Sequence, residues 1–163
     1  MNIFKKVFAE LNKQKVKYIV VGGIAVNLYG YARFTGDLDI LLLLDEKNLK
    51  KMDLAMKKLK YTERLPVSIL ELKDKKKVKK WLKEKNLRAF SFVPQNDNPL
   101  QIDIITEESL KFETFSKNKI IKKMENTNIP LIHINDLIKM KKAANRRKDI
   151  DDLEALIQLK NDN

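Results

Sequence analysis

The sequence predicts an α+β (mixed α/β) fold in which a mixed β-sheet is flanked by helices. Three observations lead to this prediction: buried-strand patterns near the N-terminus, amphipathic helix patterns between and after them, and a hairpin pattern in the second half. The chain has 163 residues, 44% of them hydrophobic, which is enough to bury one core. We therefore expect a single domain spanning residues 1–163.

The first half contains two predicted strands. Apolar residues at helical spacing predict a helix over residues 2–14, and a β-branched run ended by two glycines predicts a buried strand over 18–21. A short helix through 25–29 and a turn region over 30–36 lead to the second strand, 37–44. Both strands are apolar enough to be buried.

The middle of the chain is more polar. Helical spacing of apolar residues predicts a surface helix over 46–60, residues 61–73 stay ambiguous, and a short exposed helix is predicted over 74–86. The segments 89–93 and 100–105 are predicted to form a hairpin, because a connection rich in turn-forming residues joins them.

The last third is predicted to be mainly helical. We expect a helix over 107–117, one or two short strands within 119–134, and a helix over 136–144 with Asn135 as its N-cap. A final helix is expected over 148–159.

Composition and charge restrict the class of protein. The chain carries 34 Lys and Arg against 22 Asp and Glu, a net charge of +12 that favours anionic partners. Disulfides and thiolate metal sites are excluded because there is no cysteine. The N-terminal segment alternates apolar and basic residues, unlike a signal peptide or a membrane span. We expect a cytoplasmic protein without membrane contact.

Asp37 and Asp39 head the second predicted strand. Side chains alternate along a strand, so these two carboxylates lie on the same face. Like charges this close repel unless a positive charge lies between them, and carboxylate oxygens select hard ions such as Mg²⁺ or Mn²⁺. The alternative is that both aspartates face water at the end of the strand.

Asp103 is a third acid, flanked by apolar residues within the predicted strand 100–105. A buried unpaired charge would be costly there. If this strand neighbours the first pair of acids, three carboxylates converge, and three acids can bridge two metal ions.

Two glycines and a loop precede the acids. Gly22 and Gly23 would allow a phosphate to approach backbone amides at a helix N-terminus, although a tight strand-to-helix turn is an equally good explanation. Arg33 and Thr35 lie in the loop before Asp37 and are candidates for phosphate contact or for loop hydrogen bonds.

The C-terminal segment combines basic and acidic residues. Asp149 and Asp152 are one helical turn apart and share a face, and a basic cluster beside them suits a polyphosphate site. The alternative is a pair of ordinary charged surface helices. The basic residues of this segment that we consider are Lys141, Arg146 and Lys148.

Other residues are given structural roles. His133 is the only histidine, so we expect it to flank a helix and not to bind a metal. Core packing is preferred over base stacking for the aromatic residues Tyr61, Trp81, Phe90 and Phe92. The lysine run 73–85 is either a solvated helix face or a contact surface for a nucleic-acid backbone.

The combined pattern resembles a known superfamily. An apolar run ending in Gly-Gly, thirteen residues, Asp-apolar-Asp-apolar and a later aspartate in a strand are similar to the signature of nucleotidyltransferases related to DNA polymerase β. The segment from Lys141 to Asp152 resembles the end of minimal nucleotidyltransferases of the AbiEii toxin type. Residues 46–99 carry none of the resemblance, and Asn145 stands where a glycine is expected.

The resemblance implies transfer of a nucleoside monophosphate from a nucleoside triphosphate (NTP) to a hydroxyl, assisted by two Mg²⁺ or Mn²⁺ ions. It implies that the metal ligands are Asp37, Asp39 and Asp103, with Lys141 as a further catalytic residue. The nucleotide-binding residues implied are Gly22, Gly23, Arg33, Thr35, Lys141, Arg146, Lys148, Asp149 and Asp152.

The acceptor and any partner are left open by the sequence. The acceptor is expected to be tRNA or another RNA, a protein or a small molecule, and a partner chain is a further expectation. The competing hypothesis is a non-catalytic or partner-regulated module of the toxin–antitoxin type, which binds nucleic acid or protein through its basic surface. A metal-dependent phosphodiesterase is disfavoured by the single histidine.

Overall fold

The computed structural model describes residues 2–162. Its helices and strands alternate along the first half of the chain and include a short 3₁₀ helix. In chain order, the elements are α1 (Ile3–Lys13), β1 (Tyr18–Val21), α2 (Gly22–Tyr29), β2 (Asp37–Leu42), α3 (Glu46–Lys58), β3 (Tyr61–Glu63), the 3₁₀ helix (Ile69–Lys73), α4 (Lys75–Lys85), β4 (Ala89–Pro94), β5 (Gln101–Ile105), α5 (Phe112–Ser116), β6 (Ile120–Met124), β7 (Thr127–Leu131), α6 (Ile134–Ala144) and α7 (Arg147–Asn161).

The strands form one sheet in the order β3-β4-β5-β2-β1-β7-β6. The sheet is mixed: β2 pairs parallel to β5 and antiparallel to β1, while β1 pairs parallel to β7. The hairpin predicted from β4 and β5 is present as an antiparallel pair. The predicted α+β fold with a mixed sheet flanked by helices is therefore confirmed.

The register of the sheet aligns polar residues of neighbouring strands. Asp39 of β2 lies opposite Val21 of β1 and opposite Asp103 of β5, and Asp103 in turn lies opposite Ser91 of β4. Directly opposite residues point to the same face of a sheet. The acids of β2 and β5 thus share one face.

The other face of these strands belongs to the core. Phe90 and Phe92 of β4 and Ile102 and Ile104 of β5 are buried, and they alternate with the half-exposed residues of the acidic face. Tyr61 is buried and Trp81 packs against the core, so the structural roles predicted for the aromatic residues are confirmed. Alternation along β4 and β5 therefore places Ser91 and Asp103 on the face opposite these core residues.

Some local predictions are wrong, and the segment that the sequence leaves open takes a definite structure. The ambiguous segment 61–73 contains strand β3 and the 3₁₀ helix, and the helix predicted over 107–117 extends only over α5. Asn135 is not the N-cap of α6. The cap is His133, whose side-chain Nδ1 accepts a hydrogen bond from the Asn135 backbone N–H at 3.2 Å. A helix-flanking role for His133 is confirmed.

None of the helices within residues 2–162 combines the length and the apolar character of a membrane-spanning helix.

Candidate active site

Three aspartates lie on one face of the sheet at adjacent strands. Asp37 begins β2 and is exposed, whereas Asp39 lies two residues further and is half-buried. Asp103 occupies the position opposite Asp39 on the parallel neighbour β5. Neighbouring strands are about 4.8 Å apart, so the register brings the predicted acids together.

The acids influence one another electrostatically. Burial raises the pKa of Asp39 to about 6, with further contributions from the negative charges of Asp103 and Asp37. Lys141 and Arg146 act in the opposite direction and lower this pKa. Burial is thus the largest cause of the raised pKa, and repulsion among the three carboxylates of Asp37, Asp39 and Asp103 adds to it.

We call Asp37, Asp39 and Asp103 the acidic cluster, and its chemistry suits a hard divalent cation. Its donors are carboxylate oxygens without histidine or thiolate, which is the donor set that Mg²⁺ and Mn²⁺ prefer. Gln101 donates a hydrogen bond from Nε2 to Asp103 Oδ1 at 2.8 Å, which restricts the orientation of that carboxylate. Within residues 2–162, no three acidic or histidine side chains are already gathered around one ion position. The fit therefore rests on donor chemistry and strand register.

Gly22 makes room for Asp39. Its φ angle is +66°, which disfavours residues with a side chain, and a Cβ atom at this position would lie 2.0 Å from Asp39 Oδ2. At Gly23, a Cβ atom would lie 2.7 Å from Thr35 Oγ1 and 2.9 Å from Arg33 Nη2. Both glycines thus accommodate side chains of the site itself, and their predicted contact with phosphate stays a prediction.

Arg33 forms an ion pair with a distant aspartate. Its Nη2 donates to Asp152 Oδ2 at 2.9 Å, and its Nε lies 2.6 Å from Oδ1 of the same carboxylate. Thr35 Oγ1 donates to the Asp37 carbonyl at 3.4 Å. In this structure the loop before Asp37 is therefore tied to α7 on one side and to β2 on the other.

Lys141 is buried and shared by two carboxylates. Its Nζ donates to Asp149 Oδ1 at 3.0 Å and to Asp152 Oδ2 at 2.7 Å, and its side chain is only 5% exposed. Arg146 donates from Nε to Asp149 Oδ2 at 2.8 Å, while its own side chain is 59% exposed. We call these residues the charge network: Arg33, Lys141, Arg146, Asp149 and Asp152.

The charge network keeps Asp149 ionised. Burial by itself raises the pKa of Asp149, but hydrogen bonds from Arg146 and Lys141 outweigh it and lower that pKa to about 2. The hydrogen bond with Asp149 in turn raises the pKa of Arg146 above its usual value. Three cations against two carboxylates leave one net positive charge close to the acidic cluster.

The connection between α6 and α7 sets the geometry of the charge network. Asn145 has a φ angle of 47°, and its backbone N–H donates to the Lys141 carbonyl at 3.2 Å. Asparagine tolerates this left-handed conformation better than most residues, so it replaces the expected glycine. Lys148 is exposed on α7, and among the described residues no hydrogen bond or ion pair links it with the charge network.

Two supporting residues were missed by the sequence reasoning. Asn27 of α2 donates from Nδ2 to the Arg33 carbonyl at 2.9 Å and accepts from the Arg33 backbone N–H at 3.2 Å. Gln101 holds Asp103, as described above. Gln101 could have been predicted as a neighbour of Asp103, because it stands two residues earlier and so lies on the same face of the strand. For Asn27 no comparable signal exists.

Comparison with known proteins identifies the family. The family model described as the nucleotidyl transferase AbiEii toxin of type IV toxin–antitoxin systems matches residues 7–163. The chain belongs to this family. The predicted resemblance to minimal nucleotidyltransferases is therefore confirmed, while no curated protein matches the sequence.

Solved structures show the same fold at low sequence identity. The lincosamide antibiotic adenylyltransferase LnuA, solved with lincomycin bound, is 16% identical with a TM-score of 0.61, over 95% of this chain and 96% of the other. ANT(2")-Ia, in complex with adenylyl-2"-tobramycin, is 10% identical with a TM-score of 0.58, over 96% and 86%. A nucleotidyltransferase-like protein from Paracoccidioides brasiliensis is 13% identical with a TM-score of 0.57, over 93% and 72%. The AbiEii-family chain thus shares their fold.

Proposed function

We propose that this AbiEii-family protein transfers a nucleoside monophosphate from an NTP to a hydroxyl group of an acceptor. The acceptor oxygen attacks the α-phosphorus, the bond from the α-phosphorus to the oxygen that bridges it to the β-phosphate breaks, and pyrophosphate leaves. The observation that carries the proposal is the opposition of Asp39 and Asp103 on neighbouring strands, with Asp37 on the same face. Domain organisation, one domain over residues 1–163, is part of the same proposal.

The acidic cluster would bind two divalent ions, Mg²⁺ or Mn²⁺. Asp37 and Asp39 would hold both, and Asp103 would complete the second position. When bound, the ions would neutralise the triphosphate and make the acceptor hydroxyl more acidic. Support comes from the repulsion among these carboxylates, which adds to the effect of burial on the pKa of Asp39 and which a bound cation would offset. Asp103, oriented by Gln101, would accept the hydroxyl proton.

The charge network would bind and orient the triphosphate. Arg146 is the cation best able to reach a phosphate, because its side chain is 59% exposed. Lys141 would act from its buried position through its positive charge, since it already lowers the pKa of Asp39. Arg33, with Thr35 beside it, would hold the loop before the acids, and the backbone at Gly22 and Gly23 would approach the phosphates.

The net charge and the names of two structural neighbours support different classes of acceptor. A net charge of +12 favours an anionic acceptor such as tRNA or another RNA, with a protein hydroxyl as the next choice. Small-molecule acceptors are suggested by the names of two structural neighbours, a lincosamide antibiotic adenylyltransferase and ANT(2")-Ia with adenylyl-2"-tobramycin.

One observation favours the non-catalytic alternative, a toxin–antitoxin-type module that binds through its basic surface. Helix α4 carries seven lysines, and for five of them the described residues provide no ion-pair partner. Such a surface would bind nucleic acid or an acidic protein without any transfer.

A labelling experiment separates the two functions. The protein is incubated with each α-labelled NTP, Mg²⁺ or Mn²⁺, and tRNA or cell extract, and label on the macromolecules is measured. We expect transfer by the wild type and by the control Asp151→Asn, which changes an exposed aspartate of α7, and background label with Asp39→Asn. Wild-type label from Asp39→Asn, or salt-sensitive RNA binding without transfer, would overturn the proposal.

A further inference from the structure

Phe34 has the most exposed large apolar side chain in the described part of the protein. It is 93% exposed, compared with 56% for Ile121, the next most exposed. Phe34 lies in the loop between α2 and β2, three residues before Asp37. An apolar ring left in water forgoes the favourable free energy that its burial would provide.

The loop holds Phe34 in this exposed position. Asn27 makes two hydrogen bonds with the Arg33 backbone, at 2.9 and 3.2 Å, and Arg33 is paired with the buried Asp152. Arg33 Nη1 also donates to the carbonyl of Phe34 itself at 2.9 Å. The backbone on the N-terminal side of the ring is therefore anchored to α2 and α7, and its exposure follows from the folded structure.

The loop around Phe34 has little other exposed apolar surface. Before Phe34 it contains the half-exposed Tyr31 and the small, exposed Ala32, and after it come Thr35, Gly36 and Asp37, of which the last two are exposed. The other exposed large apolar residues lie in other parts of the chain. A stable protein interface covers roughly 800 Å² per partner, which one exposed ring with such neighbours does not supply. A single exposed ring close to Asp37 in the chain is suited to stacking against one planar group.

We propose that Phe34 is a stacking platform for a nucleobase beside the acidic cluster. It lies three positions before Asp37 in the chain, so the Cα atoms of the two residues are at most about 11 Å apart. The inference rests on the proposed function, because nucleotide binding at the acids brings a base within reach of this loop. The base comes either from the NTP or from the acceptor end of an RNA. Stacking uses the face common to all bases, so the contact tolerates any of them.

The NTP source is tested by binding, without turnover. Affinity is measured for a non-hydrolysable ATP analogue and for tripolyphosphate, which lacks the base, in the presence of Mg²⁺. If the NTP base stacks, Phe34→Ala and Phe34→Leu weaken binding of the analogue about tenfold, as expected for about 1.4 kcal/mol of stacking, and leave tripolyphosphate unchanged. Phe34→Tyr retains wild-type affinity because it keeps the ring.

The RNA source is tested in a second arm with single-stranded RNA and fluorescence anisotropy. If an acceptor base stacks, the same two variants weaken RNA binding about tenfold, and the ATP analogue binds as to the wild type. Ile121→Ala, on the edge strand β6, is the matched control for loss of an exposed apolar side chain, and it changes neither affinity.

The remaining outcomes separate failure of the stacking inference from failure of the proposed function. The stacking inference alone is overturned if wild type binds these ligands but Phe34→Ala changes nothing, or if Phe34→Leu equals wild type. Wild-type protein that binds neither the analogue nor tripolyphosphate with Mg²⁺ or Mn²⁺ overturns the proposed function as well.

Discussion

Arg33 and Asp152 are 119 residues apart in the sequence and meet in a two-point ion pair. The Asp152 carboxylate is fully buried and also accepts a hydrogen bond from Lys141. One carboxylate therefore joins the loop before the acidic cluster to helices α6 and α7. In this way hydrogen bonds and ion pairs connect the two parts of the site that we propose for metal and for triphosphate.

The stability of the fold should depend on Asp152. Asp152→Ala leaves Arg33 with no carboxylate partner and Lys141 with Asp149 alone, so we expect the free energy of unfolding to fall by about 3–5 kcal/mol. Urea denaturation measures this change. The control Asp151→Ala alters the exposed neighbouring acid and should stay within about 0.5 kcal/mol of wild type. If Asp152→Ala lowers the free energy of unfolding by less than about 1 kcal/mol, the charge network does not stabilise the fold as a unit.

Gly22 and Gly36 provide a matched pair of substitutions. Gly22→Ala places a methyl group 2.0 Å from the original position of Asp39 Oδ2 and strains a backbone with φ +66°. We expect it to abolish nucleotide transfer and to lower the free energy of unfolding by at least about 1–2 kcal/mol, the cost of the left-handed conformation. At Gly36 a Cβ atom meets nothing within 4 Å, so Gly36→Ala should keep both nucleotide transfer and the free energy of unfolding. Equal activity of the two variants would contradict the account of Gly22.

The pH dependence of stability should report on Asp39. Burial and the neighbouring acids raise its pKa from 3.8 to about 6, so the native state holds this proton at a pH where the unfolded chain has lost it. The stability contributed by protonated Asp39 is complete below about 4 and is lost as the pH rises through about 6. In metal-free buffer, the unfolding free energy of wild type minus that of Asp39→Asn should therefore fall between pH 4 and pH 7.

Urea titrations of both proteins at several pH values across this range measure that difference. If it does not change with pH, Asp39 has an ordinary pKa. Added Mg²⁺ should raise the stability of wild type more at pH 7 than at pH 5, because metal and proton compete for the same carboxylate.

The parts of the fold that could be predicted from the sequence depend on local patterns. Helix α1 and strand β2 follow from apolar periodicity, and alternation along β2 places Asp37 and Asp39 on one face. The meeting of Asp39 with Asp103 needed one further assumption, that their strands are neighbours, and the sheet order confirms it.

The remaining features arise from contacts between distant segments. Strand β3 is only three residues long, too short for a clear strand pattern, and it exists because it pairs with β4 at the edge of the sheet. Nothing near Arg33 in the sequence indicates Asp152 as its partner. His133 caps α6 in place of Asn135, although asparagine is the stronger general cap, because the chain turns two residues earlier. Local propensity cannot decide such cases when tertiary contacts outweigh it.

The pairing of Arg33 with Asp152 also sets an order of events during synthesis. A ribosome must add 119 residues after Arg33 before its partner exists, and Asp149 and Asp152 both belong to α7. Until then Arg33 and Lys141 lack the carboxylates that pair with them in the folded protein. The loop that leads into Asp37 likewise has no anchor on α7. A nascent chain that stops before α7 thus carries all three acids but lacks the anchor of the loop that precedes them, so this loop is fixed only late in translation.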